Sequence, residues 1–149
     1  MWRTAAANRS PTRTAHRPPE ITEPRRRNDE LSTHRKRRGA ATQRIAADAW
    51  KADGWPYAEP VGAGIPGRDL TGTPGIGIEV KARRDLDLTG WLRQAVRNAD
   101  ADIPVLLVRP DRYGPATVDQ WPAIVPHAVL RRLLRAAGYG TPTDTGSAK

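Results

Sequence analysis

GRDLTGTPGIGIEVKAR, residues 67–83, reads as a hairpin. Residues 68–72 form one arm, Thr73-Pro74-Gly75 the turn, and Ile76–Arg83 the other arm, with Pro and Gly each in a favoured turn role. Side chains alternate faces along a strand, so Glu79 and Lys81, two residues apart, share one face. The turn folds Asp69 back toward Glu79. Two carboxylates and one amine then converge. Hard oxygen ligands suit Mg²⁺, with Mn²⁺ as an alternative, and a metal beside an amine is suited to activating a water.

The same residues also fit a plain cross-strand ion pair at a sheet edge. Two features favour the chemical reading. Charges in an apolar, glycine-flanked strand are costly unless they serve as a pair or a ligand set. The chain also uses Arg 21 times and Lys 4 times, so Lys81 in the central strand points to a need for a compact amine rather than a planar fork.

Downstream, Thr89 is the expected N-cap of a helix and Leu88 its hydrophobic staple; Trp91, Leu92, Ala95, Val96 and Ala99 form the inward face. The unbroken apolar run Ile103–Val108 suits a strand covered on both faces. Residues 109–120 read as a polar loop and Trp121–Val125 as a short strand. A last helix is expected over Pro126–Ala137, with Val129, Leu130, Leu133, Leu134 and Ala137 inward and Gly138 as the stop.

Upstream, Gly62, Gly64 and Gly67 form a flexible loop. Their G-x-G-x-x-G spacing is not a dinucleotide site, because Pro66 and the turn-rich residues after it leave no helix to open within the glycines. Trp55–Pro60 reads as a short strand bounded by prolines. A helix is expected from near Arg37 to about Ala52, its stripe made by Ala41, Ile45 and Ala49, its stop at Gly54. The basic run Arg35, Lys36, Arg37 and Arg38 falls at its first turn, where cations and free N–H groups together suit a phosphate.

The chain has 149 residues, one domain's worth, and a net charge of +9 with a pI of about 10.9. Residues 1–38 hold 11 Arg and Lys against 4 Asp and Glu; residues 39–149 hold 14 against 12. Such an imbalance favours a polyanionic partner, most often nucleic acid. Residues 1–35, rich in Arg, Pro and Thr, are expected to be a disordered basic tail, 36–139 one folded domain, and 140–149 a loose tail. The absence of cysteine excludes disulfides, thiolate zinc sites and a Cys nucleophile, and fits a cytoplasmic setting. No apolar run approaches the ~20 residues that span a bilayer, and no secretory leader is expected. His16, His34 and His127 are dispersed, and Ser10, Ser32 and Ser147 lie in segments expected to be loose, so neither a His metal site nor a serine triad has a scaffold.

The expected order is α-β-β-β-α-β with an appended C-terminal strand and helix, an α/β fold with a small mixed sheet flanked by helices. With Asp69 followed by Glu79-Val80-Lys81 on the central hairpin, it resembles the PD-(D/E)xK nuclease superfamily and its restriction-endonuclease-like core. Within that superfamily it is most similar to archaeal-type Holliday junction resolvases and their phage-encoded relatives. The likeness runs from about Arg35 to Arg109 and includes the RKRRG run, the glycine loop and the EVKAR strand.

The resemblance implies a metal-dependent endonuclease acting on branched or duplex DNA, working as a homodimer. It implies that Asp69, Glu79 and the Val80 carbonyl bind Mg²⁺ and that Lys81 positions the attacking water. Many relatives carry a Glu in the first helix where this chain has Gln43, which could orient water through its amide; Asp48 and Glu59 are possible substitutes. Arg35, Lys36, Arg37, Arg38, Arg68, Arg83 and Arg84 are the expected DNA contacts. Two rival readings stand beside it: a non-catalytic basic DNA-binding module, and a nuclease of another specificity, restriction-type or RNA-cutting.

Overall fold

The computed structural model describes residues 23–62 and 64–140. Its elements are α1 (Glu23–Ala52), β1 (Glu59–Pro60), β2 (Leu70–Thr71), β3 (Ile76–Lys81), α2 (Leu88–Ala99), β4 (Ile103–Val108), β5 (Ala123–Ile124) and α3 (His127–Ala136). Strands β3, β4 and β5 form a mixed sheet in that order. β3 and β4 run parallel, with Ile76 opposite Ile103 and Lys81 opposite Val108; β5 returns antiparallel, with Leu106 opposite Ile124. The fold is α/β with helices against a small mixed sheet. None of the described helices is long and apolar enough to cross a membrane.

The first helix starts at Glu23, not near Arg37, so residues 23–35 are helical where a disordered tail was expected. Residues 1–22 and 141–149 lie outside the described residues. The cause of the early start is local. Between Pro24 and Pro56 there is no proline, and the segment is rich in Arg and Ala, which favour helix without needing burial. Pro24 stands in the first turn, where a missing N–H costs nothing. Residues 28–37 are exposed, and partial burial begins at Arg38. It ends as expected at Gly54, whose φ of +103° lets the Trp55 N–H return to the Trp50 carbonyl at 3.0 Å.

The hairpin forms differently from expectation. The turn is present, with the Ile76 N–H donating to the Thr73 carbonyl at 3.0 Å. Yet β2 ladders with β1, Thr71 opposite Glu59, and makes a separate two-stranded sheet. Gly72 sits at φ +74° and backs onto the Tyr57 carbonyl so closely that a Cβ would lie 1.7 Å from that oxygen. This left-handed bend seats the first arm against Tyr57 and Ala58, where it ladders with β1. The expected strand at 55–60 shrinks to Glu59–Pro60, since Pro56 supplies no N–H and the Ala58 N–H closes a turn onto the Trp55 carbonyl instead.

α1 covers one face of the main sheet: Ala46 and Ala47 pack with Leu70, Ile78, Val80 and Trp121. α2 covers the other, where Trp91 and Ala95 pack with Leu106 and Val108. β4 is therefore covered on both faces, as its apolar run predicts. The crossover helix sits very close to β3. A Cβ on Gly77 would fall 2.5 Å from the Ala99 Cα and Cβ, so glycine sets the distance between strand and helix.

Asp87, not Thr89, caps α2: its carboxylate accepts from the Gly90 N–H at 2.9 Å. Val96 is exposed, because the contact stripe follows Trp91, Ala95 and Ala99. The expected polar loop carries a 3₁₀ turn over Pro115–Gln120. In α3 no residue is buried; Leu130 and Leu134 are exposed and only Val129 and Leu133 are partly covered, contrary to the inward face expected. The helix has its apolar stripe but the described residues place little against it.

Candidate active site

β3 is the edge strand of its sheet, and the site is built on that open edge. Along β3, Ile78 and Val80 point into the α1 face, which leaves Glu79 and Lys81 together on the α2 face. On the edge itself the Asp69 N–H donates to the Ile78 carbonyl at 2.8 Å. One step on, the Asp69 carboxylate takes the place of a strand carbonyl: Oδ2 accepts from the Val80 N–H at 2.7 Å. Asp69 thus satisfies an edge that would otherwise expose polar backbone. It is thereby fixed beside Glu79 without a continuous hairpin ladder. A residue's N–H and C=O face the same neighbour in such an edge, so the Val80 carbonyl shares it with Asp69.

The other Asp69 oxygen, Oδ1, accepts from Gln43 Nε2 at 2.6 Å. Gln43 lies on α1 between the buried Thr42 and Ala46, at the end of the helix that first meets the sheet. Asp48 is exposed and Glu59, on β1, is paired with Lys51, so of these three candidates Gln43 is the one that meets Asp69.

Glu79 is 2% exposed. Its Oε1 is paired with Lys81 Nζ at 2.5 Å and its Oε2 accepts from Asn98 Nδ2 at 3.0 Å. A carboxylate so deeply buried requires both partners. Asn98 also donates to the Gly67 carbonyl at 2.7 Å, which ties α2 to the glycine loop. Asn98 was missed in the sequence reading. The available signal was a polar residue on the α2 contact stripe, seven positions after Trp91 and beside Ala99.

The electrostatics place the two acids in one field. Burial pushes the Asp69 carboxyl up from 3.8 to about 6; the Val80 N–H opposes this, the Glu79 charge adds to it, and Lys81 and Gln43 hold it down. Positive charge close to Asp69 would relieve that cost.

No group of three or more His, Cys, Asp or Glu among the described residues is arranged to hold a metal. The donor set is two carboxylates plus an edge carbonyl. That set fits Mg²⁺, which takes one or two carboxylates and completes its shell with water and phosphate oxygens. Each carboxylate oxygen engaged here keeps a second lone pair.

The expected phosphate contacts separate into groups. Arg35, Lys36 and Arg37 are exposed but lie within α1 rather than at its start, so no free helical N–H groups accompany them. Arg68 is paired with Asp102 at 2.9 Å and is half-buried. Arg83 is exposed just past β3. Arg38 and Arg84 both reach Asp111, at 2.9 and 3.1 Å.

A further arginine, Arg109, was also missed. It follows β4, donates to the Tyr113 carbonyl at 2.6 Å and to Thr42 Oγ1 at 3.1 Å, and lies over the Trp121 ring at 5.8 Å. Its own N–H meets the Lys81 carbonyl at 2.8 Å, so this basic corner adjoins the carboxylates at the C-terminal ends of the parallel strands. Comparison of the chain with family models, curated proteins and solved structures finds no match.

Proposed function

We propose that the protein is a divalent-metal-dependent DNA endonuclease, with branched DNA of the Holliday-junction kind as its substrate class. One observation carries this reading: Asp69 is held through the Val80 N–H on the edge of the strand that presents Glu79 and Lys81 on one face. Two acids and an ammonium group in a shared field suit phosphodiester hydrolysis with Mg²⁺ or Mn²⁺. Asp69 and Glu79 would hold the ion, with the Val80 carbonyl beside them. The ion would supply positive charge at the scissile phosphate and a more acidic water.

The protein's own groups do the rest. Lys81 is partly buried and kept close by Glu79, so its ammonium is preorganised to offset charge that builds on the phosphate oxygens. Asn98 holds Glu79 from the opposite side and keeps its orientation. The Gln43 amide, donating to Asp69, has a carbonyl left to orient a water. In-line attack at phosphorus would leave a 5′-phosphate and a 3′-hydroxyl. Symmetric cutting of a junction would take two copies of the chain.

A second reading has its own support. Gln43 stands where an acid would complete a ligand set, and the described carboxylates already have internal donors. On that reading the protein is a DNA-binding module without turnover. The deciding experiment incubates the full chain with four-way junction, flap, duplex and RNA substrates in Mg²⁺, Mn²⁺ or EDTA. Metal-dependent cleavage of the junction supports the proposal. Preference for linear duplex or RNA would reassign the specificity, and binding without cleavage in either metal would favour the module.

A further inference from the structure

Asp111 holds two arginines that come from different parts of the fold. Its Oδ1 accepts from Arg38 Nη1 at 2.9 Å, and its Oδ2 pairs with Arg84 Nε at 3.1 Å. Arg38 is on α1 and Arg84 on the segment after β3, so the carboxylate is gripped from two sides by donors that converge on one point. Arg38 is braced from behind, whereas the Arg84 side chain is 81% exposed and reaches in from solvent. Thr42 donates to the Arg38 carbonyl at 2.8 Å and accepts from Arg109, which links α1 to the end of β4. Arg38 Nε is buried and has no partner, so Asp111 leaves one donor of the fork unused. Paired arginines around two oxygens of one anion are the geometry by which proteins hold phosphate.

Asp111 belongs to the irregular segment between β4 and the 3₁₀ turn, beside Arg112 in a left-handed conformation with φ 67°. Its side chain is 43% exposed. It can leave the arginines without breaking a strand or helix. A carboxylate in that position offsets part of the two positive charges while no ligand is bound.

We propose that Arg38 and Arg84 form a phosphate-binding subsite for a DNA backbone, and that Asp111 occupies it as an internal competitor until a phosphodiester displaces it. The location follows from the chain. Arg84 is three residues beyond Lys81, and Arg38 lies on the α1 segment that carries Gln43. The subsite therefore takes a phosphate next to the one at Glu79 and Lys81; this placement, though not the competition itself, rests on the nuclease reading.

The test measures binding of a fluorescein-labelled DNA duplex by the full chain in EDTA, across a range of salt. Asp111→Asn keeps the shape and removes the charge. It is expected to tighten binding several-fold at low salt and to steepen the slope of log K against log salt by roughly one phosphate contact, ~0.9. Asp111→Glu keeps the competitor and is expected to bind as the parent does. In a background carrying Arg38→Gln and Arg84→Gln, Asp111→Asn is expected to have no effect. Circular dichroism confirms that each variant is folded. Unchanged binding in Asp111→Asn, an equal gain in the background without the two arginines, or no DNA binding by any variant would overturn the proposal. Cleavage is scored separately: binding that follows Asp111 without any metal-dependent cleavage would keep this subsite and remove the nuclease, and the reverse pattern would do the opposite.

Discussion

Asn98 Nδ2 donates to Glu79 Oε2 at 3.0 Å and to the Gly67 carbonyl at 2.7 Å, so one amide on α2 both orients the buried carboxylate and fastens the glycine loop. Asn98→Leu removes both bonds and leaves a carboxylate oxygen buried without its donor. The expected loss of stability is about 1–3 kcal/mol. Urea denaturation measures it; a loss below about 0.5 kcal/mol would mean that water replaces the amide.

Asp69 sets a pH dependence of stability. Its folded carboxyl titrates at about 6, above the ordinary 3.8, because burial disfavours the charge. Between those two values the folded protein binds more protons than the unfolded chain, so stability falls as pH rises through that window. Above it, Asp69 costs stability, about 1 kcal/mol once partial solvent exposure is allowed for. Asp69→Asn can still accept from the Val80 N–H and donate to a turned Gln43 amide. It is expected to flatten the stability profile between pH 4 and 6 and to raise Tm at neutral pH. A variant profile parallel to the parent's would contradict this origin.

Gln43→Glu reverses sign with metal. Without a divalent ion, a second carboxylate against Asp69 should lower Tm. With Mg²⁺ the added ligand should bind the ion, so the Tm rise on adding Mg²⁺ should exceed that of the parent. Differential scanning calorimetry with Mg²⁺ and with EDTA measures both. An equal or smaller rise would show that no ion sits beside residue 43.

The strands of the main sheet were legible in the sequence, while their pairing and the surroundings of the site were legible only in part. β4 has the limits that its apolar run predicts, and the parity of Glu79 and Lys81 follows from period two alone. The pairing of β2 with β1 was not legible. It depends on a left-handed bend at Gly72 and on how closely the Tyr57 carbonyl approaches, which are tertiary facts. The start of α1 was not legible because low apolar content reads as disorder, whereas an Arg-rich segment free of proline can stay helical while exposed. Amphipathic α3 was expected to pack, but periodicity says which face is apolar and not what covers it. Asn98 escaped because a single polar residue on a contact stripe reads as a helix end until its partner is placed opposite.

Gly77→Ala tests the close approach of β3 and α2. The added methyl would meet the Ala99 backbone at 2.5 Å and push the helix outward, moving Asn98 relative to Glu79. The expected cost is about 1–3 kcal/mol, with a fall in any metal-dependent activity larger than the fall in folded fraction. Thermal melts and activity assays on the same preparation check the two together; activity that tracks folded fraction alone would mean that the spacing does not orient the site.

The most direct measurement is single-turnover cleavage of four-way junction DNA by the full chain in Mg²⁺, comparing the parent with Glu79→Gln and Lys81→Met. The account predicts cleavage by the parent and a loss of about 100-fold or more in each variant, with DNA binding in EDTA retained. Equal cleavage by all three, or none by the parent in Mg²⁺ or Mn²⁺, would contradict it.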